Sequence, residues 1–251
     1  MTEIYKLTLC PILFVMKEAL RLVLAMFNLR SLQARKNFLQ TSELTKFDHP
    51  FSVSWSQAGE DLALLAVIRN QKPGFYLDIG AHDPTRFSVT RHLYQAGWTG
   101  VNVDANPDLI PAFLADRPKD TSIQALVGSK KIYNFSIFSE PAISTHNEFW
   151  KRNFLSEGQE IIQTKQLAGI TLRKIYDQYF PKEKIDLLNI DAEGSDLDVF
   201  DSMGWETLSQ SRFPEWIILE SFPPVENSLK TPNTSARFRI LKLFFLNHSH
   251  S

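Results

Sequence analysis

Five short apolar or β-branched runs alternate with helical patterns along the chain, and this alternation constrains the fold more than any other feature. The runs are Phe75 to Ile79, Gly100 to Asp104, Thr121 to Val127, Ile185 to Ile190 and Trp216 to Glu220, each bounded by Gly, Pro, Asp or Asn. Continuous apolar runs of this length read as buried strands. Between them the helical period marks Glu60 to Arg69, Ser88 to Ala96, Pro107 to Ala115, Leu172 to Tyr179 and Ser195 to Met203. Strands that alternate with helices imply right-handed crossovers, so the expected fold is α/β, a doubly wound, mainly parallel sheet with helices on both faces. Ligands of such sheets sit beyond the carboxyl ends of the strands, and the residues just after each strand are where function is sought.

Charge separates the first part of the chain from the rest. Residues 1 to 46 hold seven Lys or Arg against three acids, net +4, which leaves twenty basic and twenty-five acidic residues, net −5, in the remainder. With an overall charge of −1, a broad electrostatic grip on nucleic acid has no support. The single cysteine, Cys10, allows neither an internal disulfide nor a thiolate zinc site. Two regions are expected: a basic, apolar helical extension over residues 1–50, and a main domain over 51–251 with an insertion at about 129–169. From Leu7 to Leu29 the only charges are Lys17, Glu18 and Arg21, which fall within one stripe of a helix. Its longest uncharged stretch, Leu7 to Met16, is short of a bilayer span, and the charges interrupt a secretory signal. Two readings stand: a helix docked on the protein's own core, or an amphipathic helix in peripheral membrane contact through residues 7–36, with Arg30, Arg35 and Lys36 facing anionic lipid. The expected location is cytoplasmic, with or without membrane association; the oligomeric state has no signature.

After the first strand comes Asp78-Ile79-Gly80-Ala81-His82-Asp83-Pro84. Gly80 permits close backbone approach, and Asp78 and Asp83 can accept hydrogen bonds from an ammonium group. One glycine among acids is not the G-x-G-x-x-G of a dinucleotide site, and it fits a cationic ligand better than a diphosphate. Asp104 ends the second strand, before Ala105-Asn106-Pro107, where a carboxylate can accept both hydroxyls of a ribose or cap the next helix. The fourth strand ends in Asp191-Ala192-Glu193-Gly194, two carboxylates suited to a general base or a ligand ammonium group. Asp196, Asp198 and Asp201 read as capping and solvated helix face, because Gly194 is misplaced for a calcium loop. Trp98 reads as core, and His146 as an exposed polar residue rather than a base.

Taken in order, Trp55-Ser56-Gln57-Ala58-Gly59-Glu60-Asp61-Leu62, the DIGAHDP loop, Gly97-Trp98-Thr99-Gly100 leading to Val103-Asp104-Ala105-Asn106-Pro107, Ser144-Thr145 and Leu188-Asn189-Ile190-Asp191-Ala192-Glu193-Gly194 resemble the FkbM family of S-adenosylmethionine-dependent methyltransferases. The resemblance runs from about Trp55 to Ser221. It implies a class I methyltransferase, Rossmann-like fold ending in an antiparallel hairpin, S-adenosylmethionine as cofactor, and methyl transfer to a hydroxyl of a sugar, glycan or other secondary product. On the same resemblance Gln57 and Glu60 close over the cofactor, Asp78, Gly80, Ala81 and Asp83 surround its methionine part, Asp104 holds the ribose, Leu126 and Val127 flank the adenine, and Ala105 and Asn106 complete the cofactor-binding set. Asp191 and Glu193 face the methyl group and acceptor, with His82 a third catalytic candidate. No metal is expected. The competing readings are an NAD-dependent oxidoreductase, opposed by the missing glycine fingerprint, and a non-catalytic membrane-associated binding module on the same fold.

Overall fold

The computed structural model describes residues 53–68, 72–220 and 239–243, all within one compact unit, Val53–Ser251. The extension read from residues 1–50, with its candidate membrane helix, lies outside the described residues. None of the described helices is long and apolar enough to cross a membrane.

In chain order the elements are α1 (Glu60–Ile68), β1 (Phe75–Ile79), α2 (Arg91–Gln95), β2 (Thr99–Asp104), α3 (Ile110–Asp116), β3 (Thr121–Gln124), β4 (Leu126–Val127) and β5 (Ile132–Phe138). There follow α4 (Glu148–Ser156), β6 (Ile161–Ile170), α5 (Leu172–Tyr179), β7 (Leu187–Ile190), α6 (Asp196–Asp201), β8 (Trp216–Glu220) and β9 (Arg239–Leu243). Six strands form one sheet in the order β3-β2-β1-β7-β8-β9, and every pairing in it is parallel. The order reverses between β1 and β7, which sets the ligand crevice at the carboxyl ends of those strands.

Central strands of such a sheet are covered on both faces, and their burial follows. All four residues of β7 are buried, as are the last four of β1. On one face Leu77, Val103, Leu188 and Ile190 meet Leu172, Ile175 and Tyr176 of α5 and Val199 and Phe200 of α6. On the other, Tyr76, Leu187 and Ile218 meet Leu64 of α1, Leu93 of α2 and Trp98. Trp98 is core, as its sequence setting suggested.

Two expectations about the sheet are corrected. The run Thr121 to Val127 is not one strand: Thr121–Gln124 pairs with β2, whereas Leu126–Val127 pairs with β6 in a second sheet, order β4-β6-β5. The switch comes at Ala125, whose N–H still bonds Asp104 O at 2.9 Å. The expected antiparallel hairpin is not seen among the described residues either, since β9 runs parallel to β8. The suspected insertion, residues 129–169, has structure of its own: β5 and β6 form an antiparallel pair, with α4 between them.

Candidate active site

The cleft forms where the chain leaves β1, β2 and β7. Gly80 turns out of β1 at φ +76°, and its N–H and that of Ala81 both donate to Val103 O, at 2.9 and 3.1 Å. From the other side Asp191 N–H donates to Ile79 O at 2.9 Å. A Cβ on Gly80 would lie 1.6 Å from the Asp191 carbonyl oxygen, so a side chain here would force the strand ends apart. His82 follows at φ +53°, with its N–H donating to Asp104 Oδ2 at 3.0 Å. A non-glycine residue held in this region is strained by about 1–3 kcal/mol and persists only where its surroundings impose it.

The cleft takes in about 780 Å³ of space, part of it open solvent. It gathers Gly80 and His82 after β1, Asp104 and Ala105 after β2, Leu126 and Val127 of β4, Asp191 and Glu193 after β7, and Gln57 from the segment before α1. Five predicted residues do not line it. Glu60 is buried and accepts the Ala58 N–H at 2.9 Å. Asp78 lies beneath the cleft, accepting from Thr90 Oγ1 at 2.6 Å and Asn189 Nδ2 at 2.9 Å. Ala81 is buried. Asp83 closes its own turn, accepting the N–H groups of Thr85 and Arg86, both at 2.8 Å. Asn106 caps the turn Pro107–Leu109 through Asp108 N–H at 3.1 Å. Of Asp78 to Asp83, Ile79, Gly80 and His82 line the cleft.

The cleft is acidic and lacks a fixed cation: Asp104, Asp191 and Glu193 line it, and among the described residues no Lys or Arg does. Burial pushes the Asp104 carboxyl up to about 6, against the opposing pull of the Asn106 and His82 N–H donors. The Glu193 carboxyl is raised well above its ordinary value by burial and then by Asp191 and Asp196. His82 and His146 are both lowered, chiefly by burial. Burial thus favours the neutral imidazoles and holds the proton on Glu193 to higher pH than on a free glutamate, so one cleft is lined by proton acceptors and a proton donor.

A family model described as the methyltransferase FkbM domain matches residues 78–235, more than half of the chain. The chain belongs to the FkbM methyltransferase family. Comparison with curated proteins and with solved structures finds no match. The matched FkbM domain opens at Asp78 inside β1 and takes in the strand ends, the insertion and the Asp191–Gly194 turn that build the cleft.

Although Thr145 belongs to the Ser144-Thr145 motif, the sequence assigns no site role to three residues in and beneath the FkbM domain's cleft. His146, expected to be exposed, lines it, its ring edge-on to Tyr133 with centroids 4.4 Å apart; a lone histidine within an insertion carries no signal. Thr145 is 1% exposed and donates to Glu193 O at 3.0 Å. Arg117, wholly buried, braces the loop after β1 from below: it donates to Thr90 Oγ1 at 2.8 Å and Ser88 Oγ at 2.7 Å. An isolated Arg just after a helix reads as solvated surface, and only the tertiary contacts show otherwise. Of the three acids after the fourth strand, Asp196 is buried and accepts the Ala192 N–H at 2.9 Å. Asp198 accepts from Tyr133 Oη at 2.7 Å and so ties α6 to the insertion.

Proposed function

We propose that this FkbM methyltransferase uses S-adenosylmethionine to methylate a hydroxyl, on a sugar, a glycan or another secondary product. One observation carries the reading. The strand ends converge on a cleft lined by three carboxylates and no Lys or Arg among the described residues. A net cationic ligand suits this lining, whereas the diphosphate of NAD would face carboxylates without a glycine-rich cradle. The residues also fit the cofactor sterically: Gly80 leaves the backbone bare where a Cβ would collide, and Leu126 and Val127 offer an apolar wall. Asp104 would hold the ribose, with lone pairs left after accepting the His82 and Asn106 N–H groups.

When bound, S-adenosylmethionine supplies a methyl carbon already activated on a sulfonium. The chain's task is then to hold the acceptor oxygen in line at near-attack distance and to accept its proton. Asp191, at the end of the central strand, takes that proton. His82 and His146, neutral at pH 7, are the alternative acceptors. Residues 7–36 would add peripheral membrane contact, which suits a lipid-linked or membrane-proximal glycan as acceptor.

The test is calorimetric titration with S-adenosylmethionine, S-adenosylhomocysteine and NAD. The first two should bind and NAD should not, and Asp104→Ala should weaken binding by about 1–3 kcal/mol. Binding of NAD alone would replace this reading with the oxidoreductase.

A further inference from the structure

The turn that carries Glu193 is held from outside the sheet. Glu193 and Gly194 have φ +46° and +84°, so Glu193 sits in a left-handed conformation that a glutamate adopts only under constraint. On the side of α6, Asp196 accepts the N–H groups of Ala192 at 2.9 Å and Gly194 at 3.2 Å. On the other side the constraint comes from the insertion. Thr145 Oγ1 donates to Glu193 O at 3.0 Å, and Asn147 Nδ2 donates to Gly194 O at 2.7 Å. The two clamps are joined, because Asn147 N–H donates to Thr145 Oγ1 at 2.9 Å. Asn147 Oδ1 in turn caps α4, accepting Phe149 N–H at 3.0 Å and Trp150 N–H at 3.3 Å. The indole of Trp150 occupies the place of a Cβ on Gly194, 1.9 Å from it.

We propose that Thr145 and Asn147 of the insertion are positioning residues for Glu193, pinning the left-handed turn that presents its carboxyl to the cleft beside Asp191, where it meets the positive charge of the methyl donor. The proposal rests on reading the cleft as an S-adenosylmethionine site. Its physical content is electrostatic. Glu193 faces Asp191 and Asp196 on its own segment, and the other titratable groups of the cleft are His82 after β1, Asp104 after β2 and His146 on the insertion. With no Lys or Arg among the described lining residues to favour the carboxylate, burial and the neighbouring Asp191 and Asp196 hold the proton on Glu193 to higher pH than on a free glutamate. A ligand cation stabilises the carboxylate, so binding releases that proton. Affinity for a cationic ligand therefore rises with pH through the range in which Glu193 ionises. A neutral thioether in place of the sulfonium weakens the effect. The slope depends on the clamp, since an unpinned turn relaxes out of the left-handed region and withdraws the carboxyl.

The experiment measures the affinity of the 251-residue chain for S-adenosylmethionine and S-adenosylhomocysteine between pH 5.5 and 8.5 by calorimetry, with thermal melting to confirm that each variant folds. Wild type should bind S-adenosylmethionine more tightly as pH rises, by up to about tenfold per pH unit at the steepest point, with a shallower slope for S-adenosylhomocysteine. Glu193→Gln should flatten the difference between the two ligands. Thr145→Val should flatten it too, and Thr145→Ser, which keeps the hydroxyl, should restore it. Should Thr145→Val not fold, Asn147→Ala serves instead, with an intermediate slope expected. A wild-type slope in both Thr145→Val and Asn147→Ala overturns the positioning role, and a wild-type slope in Glu193→Gln overturns the role of Glu193. If wild type binds neither ligand, the reading of the cleft fails and the proposal falls with it; if it binds both with equal slopes, the reading stands and the proposal alone is lost.

Discussion

The carboxylates around the cleft share a residue type and differ in everything else. Asp78 is buried with two hydrogen-bond donors and locks β1 to β7 and to the loop beyond; Asp104 divides its oxygens between two backbone donors and the cleft; Asp196 is buried and closes the Asp191–Gly194 turn. Burial raises Asp196 to about 6, so the folded state holds its proton more tightly than the unfolded chain, whose aspartate value is about 3.9. Stability from this source is present below the unfolded value and is lost as pH rises through about 6. Asp196→Asn should accordingly lose ground to wild type at pH 4.5 and regain it by pH 7, which urea denaturation at the two pH values would show. At Asp191 the expectation concerns rate. Asp191→Asn keeps the volume and removes the carboxylate proposed as base, so turnover of an identified acceptor should fall by about 10²-fold or more while cofactor affinity changes little. Unchanged turnover would transfer the role to His82 or His146.

Elements differ in how far the sequence discloses them. β1, α5 and β8 are legible to the residue, because their apolar period matches their burial and turn residues bound them. The sheet switch at Ala125 was not legible. Thr121 to Val127 is one uninterrupted β-prone run, and what splits it is the pairing of Leu126–Val127 with Gly169–Ile170, more than forty positions away. The cleft shows the same division. Gly80, Asp104 and Asp191 follow from their places after strands, whereas His146, Thr145 and Arg117 belong to segments whose partners are distant in sequence. The insertion also meets the loop after β1, where Arg86 donates to both oxygens of Glu140 at 2.8 Å. Both side chains are well exposed, so Arg86→Ala should cost under about 1 kcal/mol. Glu140→Ala should cost more, since that carboxylate also accepts Ala142 N–H and caps the turn Pro141–Ile143. Paired thermal melts would show the order, and equal losses would remove the capping contribution.

At the scale of the whole molecule, the charge is divided along the chain, net +4 in the first 46 residues and net −5 after them. Attraction to an anionic surface is therefore concentrated at one end. Deleting residues 1 to 46 should leave a folded, cofactor-binding protein that no longer sediments with anionic liposomes at low salt. A deletion variant that is insoluble, or an intact chain that ignores liposomes, would favour a helix docked on the core instead.

The insertion leaves and rejoins the domain at almost one point. Gly128 N–H donates to Ile170 O and Gly169 N–H to Lys131 O, both at 2.9 Å, so the two ends are stitched together. A segment with adjoining ends behaves as a cassette: it can lengthen, shorten or be exchanged without altering the spacing of the strands on which it is mounted. New acceptor preferences would then arise by swapping the cassette over an unchanged cofactor half, provided each replacement brings a hydroxyl and an amide to grip the turn at Glu193 and Gly194. Chimaeras joined at 128 and 170 are the natural unit for redirecting this enzyme, and those that omit the two gripping side chains should fold yet fail.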